Sequence, residues 1–310
     1  MPRRGDNIRK RKDGRWEARY PNPNRDAGER KYSSVYGRTY QEVKEKRDTA
    51  RHSRWTVWSD FVTMIAIEIS NAVDESNRPG RSEMYASLIA KYNDTDRHSI
   101  ALMFCQVVRG LEQNPDQDFL GELFMGLGLS NEHNGQFFTP YHVCRMMAQI
   151  TGTDLQSRIN DRGWISVNDC ACGAGALLVA FANECRRQDI NYQTTILFTA
   201  QDIDFIVGCM CYIQLSLLGC PGYVVIGDSI TNPSTSLDRY GLIPKHDSNI
   251  WYTPFFFRQE WHLRRMLAQF EILLQPCNEV VQEEPIAEIT PPAIAPVSFE
   301  ETASGKLTLF

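Results

Sequence analysis

A chain of 310 residues, 42% apolar and 23% charged, has room for one large domain and a small one and reads as a soluble globular protein. No apolar run approaches the ~20 residues that cross a bilayer, and the opening Met-Pro-Arg-Arg-Gly-Asp lacks a signal peptide's apolar core; the expectation is a cytoplasmic protein with no membrane partner. The net charge of −5 is unevenly laid, with 17 Lys and Arg against 8 Asp and Glu in residues 1–54 and 16 against 30 in the rest, which marks a basic module on an acidic body.

The first elements predicted are a hairpin and a third strand. In Arg9-Lys-Arg-Lys-Asp13-Gly14-Arg-Trp-Glu-Ala-Arg-Tyr20, Asp13-Gly14 suits a type I′ turn. Trp16, Ala18 and Tyr20 then alternate with Arg15, Glu17 and Arg19, which predicts one apolar and one charged face. Lys31 to Tyr36 makes a third strand ended by Gly37, and the capping-box pair Thr39 and Glu42 starts a charged helix. Three short strands and one helix give a very small core. The stretches Arg4-Gly-Asp-Asn-Ile-Arg-Lys-Arg-Lys-Asp-Gly-Arg-Trp-Glu and Ser34-Val-Tyr-Gly-Arg-Thr-Tyr-Gln-Glu-Val-Lys resemble the arm-type DNA-binding domain of tyrosine-recombinase integrases from conjugative elements. That resemblance implies a sheet in the major groove, with Arg9, Arg11, Arg15 and Arg19 on phosphates and base edges. A solvated basic hairpin with no partner is the alternative. No recombinase catalytic domain follows.

From Trp55 to about Ser130 the pattern is helical, with Trp58, Phe61, Val62, Ile65 and Ile69 forming one apolar stripe and loops expected at Asn77 to Arg81 and Asn114 to Asp116. Next comes Asn134-Gly-Gln-Phe-Phe-Thr-Pro140. By itself Thr139-Pro140 is a good helix start, with Thr139 capping and Pro140 at the first helical position. With Gly135 to Phe138 in front, the segment resembles the Gly-Gln-aromatic-aromatic-Thr-Pro motif of N6-adenine DNA methylases, the modification subunits of type I restriction systems. The resemblance implies that Phe138, Thr139 and Pro140 cover the methionine end of S-adenosylmethionine.

Three strand-then-acid units follow. Trp164 to Asn168 is a strand ending in Asp169, and Cys170-Ala-Cys-Gly-Ala-Gly175 turns sharply into the helix Ala176 to Glu184. Gly173 and Gly175 let a ligand approach the backbone, and ligands bind where such strands end. Thr195 to Gln201 is a second strand ending at Asp202, followed by the apolar helix Ile203 to Leu218; Tyr223 to Ile226 is a third, ending Gly227-Asp228. Any one of these acids could be a cap or turn residue; spacings of 33 and 26 between them fit successive βα units. The family's loop is Asp/Asn-Pro-Ala-Cys-Gly-Ser-Gly, and here Cys170 and Ala174 replace proline and serine. The resemblance implies a cofactor set of Phe138, Thr139, Pro140, Asp169, Ala171, Gly173, Gly175, Asp202 and Asp228, with Asp202 on the ribose and Asp228 on the adenine. Cys170-x-Cys172 and Cys209-x-Cys211 are spaced too tightly for a zinc knuckle, so no metal is expected.

The family's target-base motif, Asn/Asp-Pro-Pro-Tyr/Phe after a fourth strand, is not recognisable. Asn249 to Phe255 has an asparagine, a proline and aromatics in the wrong order, and Trp251 to Leu274 reads as helical. Only 82 residues follow Asp228, and from Pro276 the chain is acidic and proline-rich, which reads as a flexible tail. Lys306-Leu-Thr-Leu-Phe310 partly resembles the peptide with which bacterial proteins dock on the replication sliding clamp, through Leu307, Leu309 and Phe310; an incidental apolar terminus is the alternative.

The expected fold class is therefore α/β, a Rossmann-like doubly wound methyltransferase domain whose short C-terminal half is either native or a truncated reading frame, preceded by a helical segment and a small three-stranded β-sheet plus helix. The boundaries are 1–54 for the basic module, 55–133 for the helical segment, 134–275 for the methyltransferase-like domain and 276–310 for the tail. The expected function is that of an S-adenosylmethionine-dependent DNA (adenine-N6) methyltransferase-like protein that binds DNA, with its catalytic residues unassigned or supplied by a specificity or catalytic partner subunit. The alternative is a non-catalytic DNA-binding protein of a mobile element, with a remnant or regulatory cofactor site.

Overall fold

The computed structural model describes residues 7–21, 32–50, 53–129, 138–234, 236–238, 240–245, 249–274, 299–301 and 307–309. Contacts divide the chain into Met1–Gln269 and Phe270–Phe310. In the first unit, strands β1 (Ile8–Lys10), β2 (Trp16–Pro21) and β3 (Tyr32–Gly37) form an antiparallel sheet in the order β1-β2-β3. Helix α1 (Tyr40–Ala50) closes it over a core of Ile8, Ala18 and Val43, with Trp16 set edge-on to Tyr40. Thr39 Oγ1 accepts the Glu42 N–H as expected, while the Glu42 carboxylate takes the Arg38 N–H.

The hairpin turn differs from the expected type I′. Gly14 has a φ of 84°, but Asp13 is not among the described residues with positive φ. Lys10 pairs with Trp16, so the loop is longer than two residues, and the Gly14 N–H closes an Arg11–Gly14 turn onto the Arg11 carbonyl at 3.1 Å. The Asp13 carboxylate accepts the Arg15 N–H at 3.1 Å, and the turn is followed by a left-handed glycine instead of carrying two positive-φ residues.

The helical segment comprises α2 (Arg54–Asn71), α3 (Arg78–Ile89), α4 (Asp94–Gln113) and α5 (Phe119–Gly126). Each start but one has its cap: Ser53, Asn93 and Asp118 accept N–H groups of the first turns of α2, α4 and α5, whereas Asn77 makes no such bond at α3. Pro79 and Gly80, expected in a loop, lie in the first turn of α3, where proline's missing N–H costs nothing. The stripe of α2 is buried at Trp58, Phe61, Val62 and Ile65, and partly at Ile69. Buried Arg81 ties this segment to the sheet: it bonds Ser70, the Asp74 carboxylate at 2.7 Å and the Ile250 carbonyl at 2.7 Å, and lies 4.0 Å over the Trp251 ring.

After α6 (Tyr141–Thr151) and α7 (Leu155–Asn160) the larger sheet begins. It holds β4 (Ile165–Asp169), β5 (Ile196–Asp202), β6 (Gly222–Ile226) and β7 (Asn249–Tyr252) in that order, the first three parallel and β7 antiparallel to β6. Helices α8 (Ala176–Arg187), α9 (Tyr192–Thr195) and α10 (Phe205–Leu217) lie between these strands in sequence. Strand β5 is buried on both faces: Ile196, Phe198 and Ala200 enter the core with α8, α10 and α2, and Leu197 enters a second core with Trp164, Tyr223, Val225 and Trp261. Near-continuous apolar runs are what a sheet covered on both sides requires.

The expected helix from Trp251 begins later. Asn249–Tyr252 pairs with Ile226–Tyr223, a short 3-10 turn (Pro254–Phe257) follows, and α11 (Gln259–Leu274) starts only then. The alternation of Ile250 and Trp251 into opposite cores accounts for the strand, and Pro254 separates it from the helix. In the second unit, β8 (Phe299–Glu301) pairs antiparallel with β9 (Leu307–Leu309). Lys306 and Phe310 of the clamp-like peptide, and Gly135 to Phe137 of the aromatic motif, lie outside the described residues. No helix among the described residues is long and apolar enough to cross a membrane.

Candidate functional site

The parallel strands β4 and β5 and the strand β6 deliver their acids to one end of the sheet. Asp169 is the last residue of β4, Asp202 the last of β5, and Asp228 lies two residues beyond β6. The loop between β4 and α8 folds back over β5: the Cys172 N–H donates to the Gln201 carbonyl at 3.0 Å and the Gly173 N–H to Asp202 Oδ2 at 2.8 Å. Asp202 Oδ1 accepts the Asp204 N–H at 2.9 Å, so each oxygen holds one backbone bond and keeps a lone pair for a ligand hydroxyl. The Gly227 N–H donates to the Asp202 carbonyl at 2.9 Å, bringing the loop that carries Asp228 alongside.

Gly173 and Gly175 have φ values of 55° and 93°, and a Cβ on Gly175 would stand 2.8 Å from Cys211 Sγ. The loop is thus pressed onto α10 with no room for a side chain. Ala171 donates its N–H to Asp169 Oδ1 at 3.2 Å. Burial pushes the Asp169 carboxyl above its usual range, and the charge of Asp202 adds to the rise. Asp228 is different. Hydrogen bonds from the Ile230 N–H and the Thr231 hydroxyl hold its pKa low, and its carboxylate serves the local turn.

Phe138 lies 3.5 Å from the position a Gly173 Cβ would take and stacks on Phe124 of α5 at 5.5 Å. Thr139 and Pro140 are exposed. The expected Thr139 cap is not formed: Pro140 keeps an extended ψ of 135°, so it occupies the cap position without a side-chain bond and α6 starts one residue later, at Tyr141. Beside these residues opens a cavity of about 510 Å³ lined by Asp118, Glu122, Met125, Phe138 and Arg145 among others.

One positioning group carried no signal in the motif reading. Gln214, buried in apolar α10, donates to Asp118 Oδ1 at 2.8 Å and to the Ala174 carbonyl at 2.9 Å while accepting the Leu120 N–H. It fastens the glycine loop to the start of α5. Burial raises the pKa of Asp118, against the bonds from Gln214 and Gly121. The one available clue was an amide within an otherwise apolar helix.

Residues 121–266 match the family model for N-6 DNA methylase. The match takes in the aromatic motif, the glycine loop and all three acids, and it supports the methyltransferase family for this segment, just under half of the chain. No curated protein and no solved structure matches.

Of the four arginines singled out, Arg9 and Arg19 lie on strands β1 and β2, and Arg11 and Arg15 in the turn between them. Arg9 sits opposite Glu17 in the register, and Glu17 opposite Tyr36. Arg15 pairs with Asp13 at 2.9 Å, and the guanidinium groups of Arg11 and Arg15 stand 5.3 and 5.9 Å from the Tyr36 ring centre. Glu17, expected on a charged face, is 2% exposed, with the guanidinium groups of Arg9 and Arg19 against its carboxylate.

Proposed function

We propose that this chain is an S-adenosylmethionine-dependent DNA (adenine-N6) methyltransferase-like protein, akin to the modification subunits of type I restriction systems, that holds DNA through its basic N-terminal sheet. The observation that carries the reading is the bond from the Gly173 N–H to Asp202, which joins the glycine loop to the second acid inside the segment matching the methylase family. The residues present suit the cofactor. Asp202 keeps free lone pairs for ribose hydroxyls, Phe138 flanks Gly173, and the adjoining cavity offers carboxylates (Asp118, Glu122) for an ammonium and Arg145 for a carboxylate, the two ends of an amino acid. S-adenosylmethionine, when bound, supplies an activated methyl group; the protein's part is to hold and orient it at the strand ends and keep water away.

Calorimetric titration with S-adenosylmethionine tests this. The intact chain should bind, and Asp202→Ala should weaken binding at least about tenfold, the loss of one or more hydrogen bonds to a charged acceptor. No heat at millimolar cofactor would end the reading.

A second reading, a DNA-binding protein of a mobile element with a regulatory cofactor site, is favoured by one observation. In Asn249 to Phe255, the stretch nearest in composition to a target-base motif, Asn249 pairs with Ile226 at the cofactor end of β6, but the antiparallel strand carries Tyr252 to the opposite end, and the side-chain amide oxygen Oδ1 of Asn249 accepts the Trp251 indole N–H. Tritiated methyl transfer to DNA by the purified chain separates the two readings: transfer supports the enzyme, and none, with cofactor binding intact, supports the regulator or a chain that needs a partner subunit.

A further inference from the structure

The basic sheet holds a carboxylate where a polyanion-binding face has least use for one. Glu17 is the second residue of the central strand β2, its side chain 3% exposed, surrounded by arginines whose side chains are 62% (Arg9), 39% (Arg11) and 56% (Arg19) exposed. Its Oε2 accepts Arg9 Nε at 3.0 Å and stands 3.8 Å from Arg11 Nη1. Its Oε1 accepts Arg19 Nε at 3.4 Å and the Ser34 hydroxyl at 3.2 Å. Both oxygens are thus used, and the guanidinium groups converge from β1, the turn and β2.

Burial works to raise the pKa of Glu17 but is outweighed by the hydrogen bonds from Arg9, Arg19 and Ser34, which keep it charged. A buried carboxylate of this kind is costly unless its partners stay in place. The guanidinium has five donors in a rigid plane, so an arginine held along one edge still presents the other edge outward. Tyr36, 42% exposed, carries Arg11 and Arg15 at the same surface.

We propose that Glu17 is a positioning residue for nucleic acid: its carboxylate fixes Arg9 and Arg19 at a set spacing, with Arg11 held between Glu17 and Asp13, so that their outer edges meet successive phosphates of a duplex. The inference rests on the DNA-binding reading of this sheet. Its consequence runs against simple charge. Removing a negative charge from a polyanion-binding face should tighten binding if Glu17 only dilutes the positive potential. It should weaken binding if the carboxylate organises the arginines, since each guanidinium must then be ordered at the moment of contact.

The test is fluorescence anisotropy of the full chain with a labelled mixed-sequence duplex of about 24 base pairs over a range of salt, spanning enough phosphates for the salt slope to be read. Glu17→Gln is expected to raise Kd at least about fivefold and to flatten the salt dependence, because fewer phosphates are engaged at once. Glu17→Asp, which keeps the charge, should recover part of the loss. Equal or tighter binding by Glu17→Gln would overturn the proposal. Should that variant lose the sheet's fold by circular dichroism, Arg9→Lys decides, since it keeps the charge but loses the fork that grips Glu17: weaker binding supports positioning, unchanged binding overturns it. A wild-type chain with no affinity for the duplex removes the DNA-binding reading itself, a result distinct from either variant's.

Discussion

A Cβ added at Gly175 would meet Cys211 Sγ at 2.8 Å and Cys211 Cα at 3.3 Å, on a backbone whose φ of 93° already disfavours any other residue. Two penalties therefore combine, a left-handed backbone worth about 1–2 kcal/mol and a steric clash of about 1–3 kcal/mol. Gly175→Ala should lower unfolding free energy in urea by about 2 kcal/mol or more and weaken S-adenosylmethionine binding with it. Adding Cys211→Ala should return the part due to the sulfur and leave the backbone part; a double variant as unstable as Gly175→Ala would show that the clash with sulfur is not the cause. Cys211 itself stays a thiol, with Cys172 against it and burial pushing its pKa up.

At the scale of elements, α5, α10 and the glycine loop are joined through one amide and one carboxylate. Asp118 caps α5 by accepting the Gly121 N–H at 3.0 Å and anchors Gln214 at 2.8 Å, both functions of an acceptor oxygen rather than of a charge. Because burial raises its pKa, the charge is a cost at neutral pH. Asp118→Asn keeps the acceptor and should change stability by no more than about 0.5 kcal/mol in either direction. Asp118→Ala removes the cap and strands Gln214, for a loss of about 2 kcal/mol. Equal losses in thermal melts of the two variants would mean that the charge matters after all. The glycine loop could be read in the sequence because strand, turn and helix are contiguous there. Gln214, 40 residues beyond Ala174 and 96 beyond Asp118, could not, since only packing brings them together.

For the whole molecule, the small sheet has its own core of Ile8, Ala18 and Val43, apart from the two cores of the larger sheet. So few buried side chains contribute little stability, and much depends on the charged Glu17. Its folded pKa is held below the ordinary 4.5, so the stabilisation is complete above that pH and is lost as pH falls through the lowered value. Asp118 and Asp169 have the opposite sign: their pKa values are raised above 3.8, and acidification toward that value relieves a cost. Scanning calorimetry should show two endotherms, and the one absent from a chain lacking residues 1–53 should move down as pH falls below 4.5 while the other moves less. A single endotherm, or a lower one insensitive to acid, would contradict this.

By itself the sequence determined the basic module with its three strands and helix, the helical character of the stretch that holds α2 to α5 though not where α3 starts, and the three strands that end in or just before an acid. All of these depend on neighbours within a few residues, where alternation, caps and glycine act directly. The alternating pattern of β2 also announced a charged face, but burial of Glu17 within that face depends on Arg9 and Ser34 from the flanking strands. Likewise Trp251 fits a helical or an extended pattern equally well. Pairing with β6 decided for the strand, because backbone groups beside an open sheet edge gain hydrogen bonds that a local pattern cannot anticipate. The glycine loop was legible as a turn; that its N–H groups reach Gln201 and Asp202, about thirty residues on, is a property of the parallel sheet that sets β4 beside β5.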